Sequence, residues 1–298
     1  IFHHESNGLR QYGAADHLIR DEKSVTGYTF VLAVPGIDRV FLHAPGANDT
    51  FCYDDIDFSE VAGASIFHLG YPPVMRRMYE DNGKELVRVL RKVHDMGVAV
   101  SLDMSAVDPA TDAAKADWAG IIRDVLPYVD FFVPSVEEVC YMIDKPRFDE
   151  WTARSGGGDI TEAIRLDDVE PLAERLLDWG AKVVLIKCGT PGMYLRTADA
   201  ARLSTINGDL LQHPEAWADL AHFEKSYVPE KVLSGTGAGD TSIAAFLLAI
   251  TKGYSWQRCL QLAAATGASC VEAYDSISGL RSFEELEKKI DSGWKKLG

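Results

Sequence analysis

Two hydrophobic periods alternate along this chain. Val183-Val-Leu-Ile-Lys187 is a continuous apolar run of the buried-strand type, and Ser65 to Gly70, Val98 to Met104 and Asp130 to Val133 share its character. Between these runs the spacing changes. Lys84 to Met96 sets Leu86, Val87, Leu90, Val93 and Met96 at helical intervals with Gly97 at the stop position, and Trp118 to Leu126, Val136 to Ile143 and Val169 to Trp179 read as further helices. Strands separated by helices need crossover connections, so the pattern predicts an α/β fold: a doubly wound, mostly parallel sheet with helices on both faces.

The first part of the chain does not follow this pattern. From Thr26 to His43 two apolar runs flank a Pro35-Gly36 turn, which predicts a β-hairpin forming its own small sheet at one edge, closed by a loop at Gly46-Ala47-Asn48. Two stretches read as insertions: Lys145 to Arg165, with the flexible-loop run Ser155-Gly-Gly-Gly158, and the polar, acidic stretch Ala198 to His222. No internal repeat is visible. The expectation is a single domain over 1–298, with the hairpin at about 25–47 and the α/β core at about 49–298. The sequence opens at Ile1 and reads from there as the middle of something, with Leu9, Tyr12 and Leu18 as scattered apolar positions.

Composition narrows the function classes. With 298 residues and 47% hydrophobic content the chain can bury a large core. A formal net charge of −15 argues against nucleic acid as the main partner, because neutralising a polyanion needs clustered Lys and Arg. A small anion held by backbone N–H groups remains compatible. The five cysteines, Cys52, Cys140, Cys188, Cys259 and Cys270, are scattered without a C-x-x-C pair, which predicts reduced, mostly buried thiols. No apolar run approaches the ~20 residues that span a bilayer and no signal-peptide pattern is present, so no membrane partner is expected and the expected location is the cytoplasm.

The chemistry concentrates at Ser234-Gly-Thr-Gly-Ala-Gly-Asp-Thr-Ser-Ile-Ala-Ala-Phe-Leu247, where a glycine-dense turn enters an apolar helix (Ile243, Phe246, Leu247, Ile250) that Gly253 is placed to end. Such a turn can aim successive N–H groups at one spot, and the helix N-terminus adds positive potential there. Asp240 would stand beside the anion. A carboxylate is a poor phosphate ligand, so it reads as a proton acceptor, with helix capping as the structural alternative. The chain lacks G-x-x-x-x-G-K-[ST], and Gly235-Thr-Gly-Ala-Gly239 is too compressed and too late in the chain for a dinucleotide fingerprint.

Gly237-Ala-Gly-Asp240 followed by small residues and Phe246-Leu247 resembles the C-terminal signature of the ribokinase-like (PfkB) carbohydrate kinases. Further motifs resemble that family in the right order. Thr26-Gly27 with the hairpin and Pro45-Gly-Ala-Asn48 resemble its lid strands, and Ser135-Val-Glu-Glu138 lies where the family carries N-x-x-E. Lys187-Cys-Gly-Thr-Pro-Gly192 resembles its K-x-G-x-x-G strand and turn, and Ala263-Ala-Ala-Thr-Gly-Ala268 its adenine-side helix. The departures are specific. The family's early substrate-binding Asp and G-G-N-type motif are absent, as though its N-terminal strands were missing. Ser135 replaces an Asn, and Ala264 stands where an Asn is common. Ser234 and Gly235 replace a polar or acidic pair, which leaves a monovalent-cation site in doubt.

The resemblance implies transfer of the γ-phosphoryl group of ATP to an alcohol of a sugar-like small molecule, with ATP and Mg2+ as cofactors. It implies Asp240 as base, Gly237, Ala238 and Gly239 as the anion hole, and Glu138 as the magnesium-linked acid, for which a first-turn helix acid is the alternative. Lys187, Gly189, Gly192, Thr236, Ala264 and Gly267 would lie on the nucleotide side, although Gly189 and Gly192 also fit a plain β-turn. Asn48 would face the substrate or simply cap the hairpin. Asp103 ends a strand where α/β ligands bind, and a turn-forming role fits it equally. The hairpin would act as a lid, and its apolar residues Tyr28, Phe30 and Phe41 suit a homodimer contact. Ribose, fructose, 2-keto-3-deoxygluconate and nucleosides are all handled within the family. A non-catalytic nucleotide- or sugar-binding protein of the same fold is the alternative, and a nicotinamide-dependent dehydrogenase is a third reading.

Overall fold

The computed structural model describes residues 9–10, 13, 15–32, 40–156 and 158–298. Its centre is a six-stranded sheet in the order β3-β4-β5-β6-β7-β8. Strands β3 (Ile66–Leu69), β4 (Ala99–Leu102), β5 (Phe131–Phe132) and β6 (Val183–Lys187) run parallel, and their apolar side chains form the floor of the core. β7 (Gly192–Thr197) and β8 (Ala221–Lys225) extend the sheet antiparallel. β8 falls at the end of the stretch expected to be a polar insertion. It has a single buried residue, Glu224, so an edge strand of this kind carries no hydrophobic alternation to announce it.

Helices α1 (Arg76–Asp95), α2 (Trp118–Val125), α3 (Val136–Ile143), α4 (Lys145–Ser155) and α5 (Leu166–Asp178) make the crossovers. α6 (Ala238–Thr251), α7 (Trp256–Cys270) and α8 (Phe283–Asp291) complete the C-terminal part. The regular helix predicted from Lys84 is the second segment of α1. Glu80 to Gly83 leave helical geometry, with Asp81 and Asn82 left-handed, and Gly83 fits against Ile121. The first expected insertion folds as α4, capped by Asp144 and anchored by the fully buried Trp151, and the second is anchored by Trp217. Gly157, within the expected flexible loop, lies outside the described residues.

Strands β1 (Tyr28–Leu32) and β2 (Val40–Ala44) form the separate antiparallel sheet, in register from Tyr28 opposite Ala44 to Leu32 opposite Val40. Every residue of β1 is exposed. The Pro35-Gly36 turn lies outside the described residues.

Two buried ion pairs tie the main sheet at its ends. At the amino end, the Lys182 ammonium pairs with Asp130 and donates to Thr205 O, while the other Asp130 oxygen accepts from Val100 N. The second pair, at the carboxyl end, belongs to the site described below. The thiols of Cys140, Cys188 and Cys259 are buried, which pushes each up to about 12, and the described cysteines are all unpaired. Among the described residues no helix is long and apolar enough to cross a membrane.

Gly192 opens β7 at φ 141, and a Cβ built there would run into the backbone carbonyl of Glu224 on β8. Its N–H donates to Gly189 O and its own carbonyl accepts from Cys188 N, so the whole residue is consumed by the sheet. Gly192→Ala is therefore expected to destabilise the fold by about 3 kcal/mol, from backbone strain plus the clash. A urea midpoint equal to wild type would contradict this.

Candidate active site

Parallel strands all end on one edge, and here the residues after β3, β4 and β5 meet the last residue of β6. The Lys187 ammonium donates to Asp103 Oδ1 at 2.8 Å, to Asp103 Oδ2 at 2.9 Å and to Val133 O at 2.8 Å. Asp103 is 1% exposed. Burial pushes its carboxyl up, and the Lys187 ammonium opposes that push. Glu138 lies in the first turn of α3, where its carboxylate accepts from Ser135 N at 2.8 Å, half of a capping box. Burial pushes Glu138 up to about 7, against the pull of Lys187 and with a further push from Asp103.

The N-terminus of α6 lies over this cluster. Its sequence is apolar nearly all round, and Ile243, Phe246, Leu247 and Ile250 are buried, so the helix is fixed by core packing. Gly267 of α7 lets the two helices approach closely, since a Cβ there would meet Ser242 Oγ. Gly237 is the N-cap at φ 78, and a Cβ on it would occupy the space of Ser276, from the loop that follows α7. No side chain caps the helix and Ala238 N donates to Gly235 O at 3.3 Å, which leaves the N–H groups of Gly239 and Asp240 as the open ones of the first turn. A Cβ on Gly239 would stand 3.6 Å from Lys187 Cδ and 3.7 Å from Cε, so the lysine stem runs directly beneath the turn.

Asp240 projects from the first turn of α6 and is exposed. Its Oδ1 accepts from the Tyr71 hydroxyl. Tyr71 follows β3 in a left-handed conformation (φ 64, ψ 46), pinned by the buried Pro72 and Pro73. Burial and the bond to Asp240 push its phenol up, so it stays a protonated donor. His68 faces Ser101 Oγ across 3.0 Å, and burial followed by the Lys187 charge holds the imidazole below its ordinary value.

The open N–H groups over a buried ammonium are a fitting donor set for the phosphates of ATP. For Mg2+, no group of three or more His, Cys, Asp or Glu ligands is assembled among the described residues. Glu138 alone suits an ion that is held by one or two carboxylates together with substrate phosphates and water.

The expected site residues divide on this geometry. Gly237, Ala238, Gly239 and Asp240 share the α6 turn, with Lys187 beneath it, Glu138 beside Lys187, and Thr236 exposed just before it. Gly189, at the β6–β7 turn, packs against Thr161. Asn48 lies in the turn Gly46–Asp49, its amide against Gly27. Three nucleotide-side expectations fall on tightly packed positions: Gly192 is enclosed between β6 and β8, the half-buried Gly267 faces Ser242 in the helix contact, and Ala264 is 3% exposed in the core. Lys187 directs its ammonium to Asp103 and Val133 O. Tyr71 was not expected. Its only sequence signal is a short Gly70-Tyr-Pro-Pro73 loop at the carboxyl end of a buried strand.

The profile of the pfkB family carbohydrate kinases matches residues 7–282. An uncharacterized sugar kinase of Archaeoglobus fulgidus is 24% identical over 271 residues, covering 91% of this chain and 86% of its own. A ribokinase of Arabidopsis thaliana is 25% identical over 271 residues, covering 89% of this chain and 57% of its own, so the chain spans little more than half of that relative. The solved structure of Arabidopsis thaliana ribokinase complexed with ribose and ATP superposes with a TM-score of 0.59 at 20% identity, over 95% of this chain and 77% of that one.

Two measurements probe the cluster. Lys187→Met leaves the buried Asp103 carboxylate unpaired and is expected to cost about 3–5 kcal/mol, most of it recovered in Lys187→Met/Asp103→Asn; a single variant as stable as wild type would refute the pairing. For Glu138 the folded value of about 7 lies above the ordinary 4.5, so the unfolded chain releases its proton first. Stability on this account is full below about pH 4.5 and falls as pH rises to about 7. Glu138→Gln removes that slope, so urea midpoints of variant and wild type should separate between about pH 5 and about pH 7.5, with the variant gaining. Parallel curves would count against the burial of Glu138.

Proposed function

The chain belongs to the pfkB family of carbohydrate kinases and is an enzyme of that class, and from that premise we propose that it moves the γ-phosphoryl group of ATP to a hydroxyl of a sugar or sugar-like small molecule. The observation that carries the reading is Asp240, standing in the first turn of α6 beside open N–H groups, with the Lys187 stem beneath. The acceptor oxygen attacks the γ-phosphorus and its proton passes to Asp240. The bond from that phosphorus to the bridging oxygen breaks and ADP leaves. Such a transfer needs positioning and charge stabilisation more than a strong base. The turn Gly237 to Gly239 would offer its N–H groups to the charge that builds on the phosphoryl oxygens, that of Ala238 on leaving Gly235 O. Glu138 would hold Mg2+, directly or through water, and the ion would neutralise phosphate charge.

The acceptor class is supported by the relatives, an archaeal sugar kinase and a plant ribokinase whose structure is described with ribose and ATP. The β1–β2 sheet would close over the acceptor as a lid and exclude water. Its exposed Phe30 (62%) and Leu42 (54%) also suit pairing with a second copy of the chain, so we assign a homodimer through this sheet. The unpaired cysteines favour a reducing compartment, the cytoplasm.

Asp240→Asn keeps the turn and removes the base. Phosphoryl transfer, followed by coupled ADP release over a panel of ribose, fructose and related sugars, is expected to drop by about 10²–10⁴-fold while calorimetric MgATP affinity changes little. Activity within about tenfold of wild type would sink the role of Asp240.

A further inference from the structure

The Tyr71 hydroxyl and the Asp240 carboxylate come from segments 169 residues apart and meet where the acceptor alcohol would have to bind its base. A phenol O–H donating to a carboxylate oxygen is the same contact that an alcohol O–H makes with a general base just before phosphoryl transfer. Tyr71 is therefore placed as a substitute for the acceptor hydroxyl. The fold holds it there against its own preference. A bulky aromatic residue at φ 64 is uncommon, and this one is locked by the hydrogen bonds from Val74 N to Tyr71 O at 3.0 Å and from Met75 N to Pro72 O at 3.0 Å. The residue is 38% exposed, so it lies at the surface of the site, where an incoming ligand can reach it.

We propose that Tyr71 is a specificity-determining residue that discriminates a substrate alcohol from water: its phenol covers Asp240 Oδ1 until a bound acceptor displaces it. The competing reaction is hydrolysis. Water gives its proton to Asp240, its oxygen bonds the γ-phosphorus, the bond to the bridging oxygen breaks, and ADP and inorganic phosphate result. A single water has few contacts with which to displace the phenol, whereas a sugar-sized acceptor has several hydroxyls with which to bind beside it. The inference rests on the reading of Asp240 as the base.

The test is ADP release from MgATP with no acceptor added, measured on the full chain. Tyr71→Phe keeps the ring and its packing and removes only the donor. It is expected to raise this hydrolysis about tenfold or more, with nucleotide affinity unchanged. In Tyr71→Phe/Asp240→Asn the rise must disappear, because water then lacks the base. A merely structural role for Tyr71 would lower thermal stability and activity together and would not raise hydrolysis. Hydrolysis by Tyr71→Phe within about twofold of wild type overturns the proposal, as does a rise that survives in the double variant. Failure of the underlying reading looks different: it appears as Asp240→Asn transferring phosphate to the sugar panel as well as wild type.

Discussion

The ion pair between Lys187 and Asp103 organises the carboxyl edge of the sheet. It joins the end of β6 to the end of β4, and its third hydrogen bond reaches Val133 just beyond β5, so one ammonium fixes the relative heights of three strands. The stem of the same lysine fills the space beneath Gly239, so the turn that opens α6 rests on it. A buried pair of this kind adds little net stability, because desolvation offsets most of the attraction. What it supplies is position, since breaking it strands a charge in the core.

A matching pair, Lys182 with Asp130, closes the other end of the same strands. Between the two pairs β4, β5 and β6 are apolar and close-packed apart from Ser101, which faces His68, and the acids proposed for the chemistry gather at the carboxyl edge. This division separates tasks along the chain. Residues inside the sheet, Gly192 among them, answer to backbone geometry. Residues just past the carboxyl ends, Tyr71, Asp103 and Glu138 with Asp240 above them, share one electrostatic environment, in which burial and neighbouring charges push Tyr71, Asp103 and Glu138 upward together. A carboxyl that is costly to ionise when the site is empty is one that gains from an arriving cation.

The β1–β2 sheet and the α6 turn differ in how they are held. α6 is held along its buried face by Ile243, Phe246, Leu247 and Ile250 in the core and by the close approach of α7 at Gly267. β1 and β2 are bonded mainly to each other and expose the whole of β1. If the proposed function holds, a firmly packed α6 would carry the phosphates and the less supported β1–β2 sheet would close with the acceptor.

The sequence alone determined the parallel core, because buried strands and amphipathic helices write their periods directly into the order of apolar residues, and Val183 to Lys187 and Val136 to Ile143 fall where their patterns place them. It also determined the glycine turn and its acid, since Gly237 to Asp240 are contiguous. It could not reveal β8, whose side chains are mostly solvated, or the docking of Trp151 and Trp217 in stretches that are otherwise polar. Nor could it show how tightly Ala264, Gly267 and Gly192 are packed, because a motif records residue type and not the direction a residue faces. The tertiary structure alone decided that Lys187 answers to Asp103 and that Tyr71 reaches Asp240, since both contacts join segments far apart in the chain, and no local period encodes a partner brought close only when the strands align.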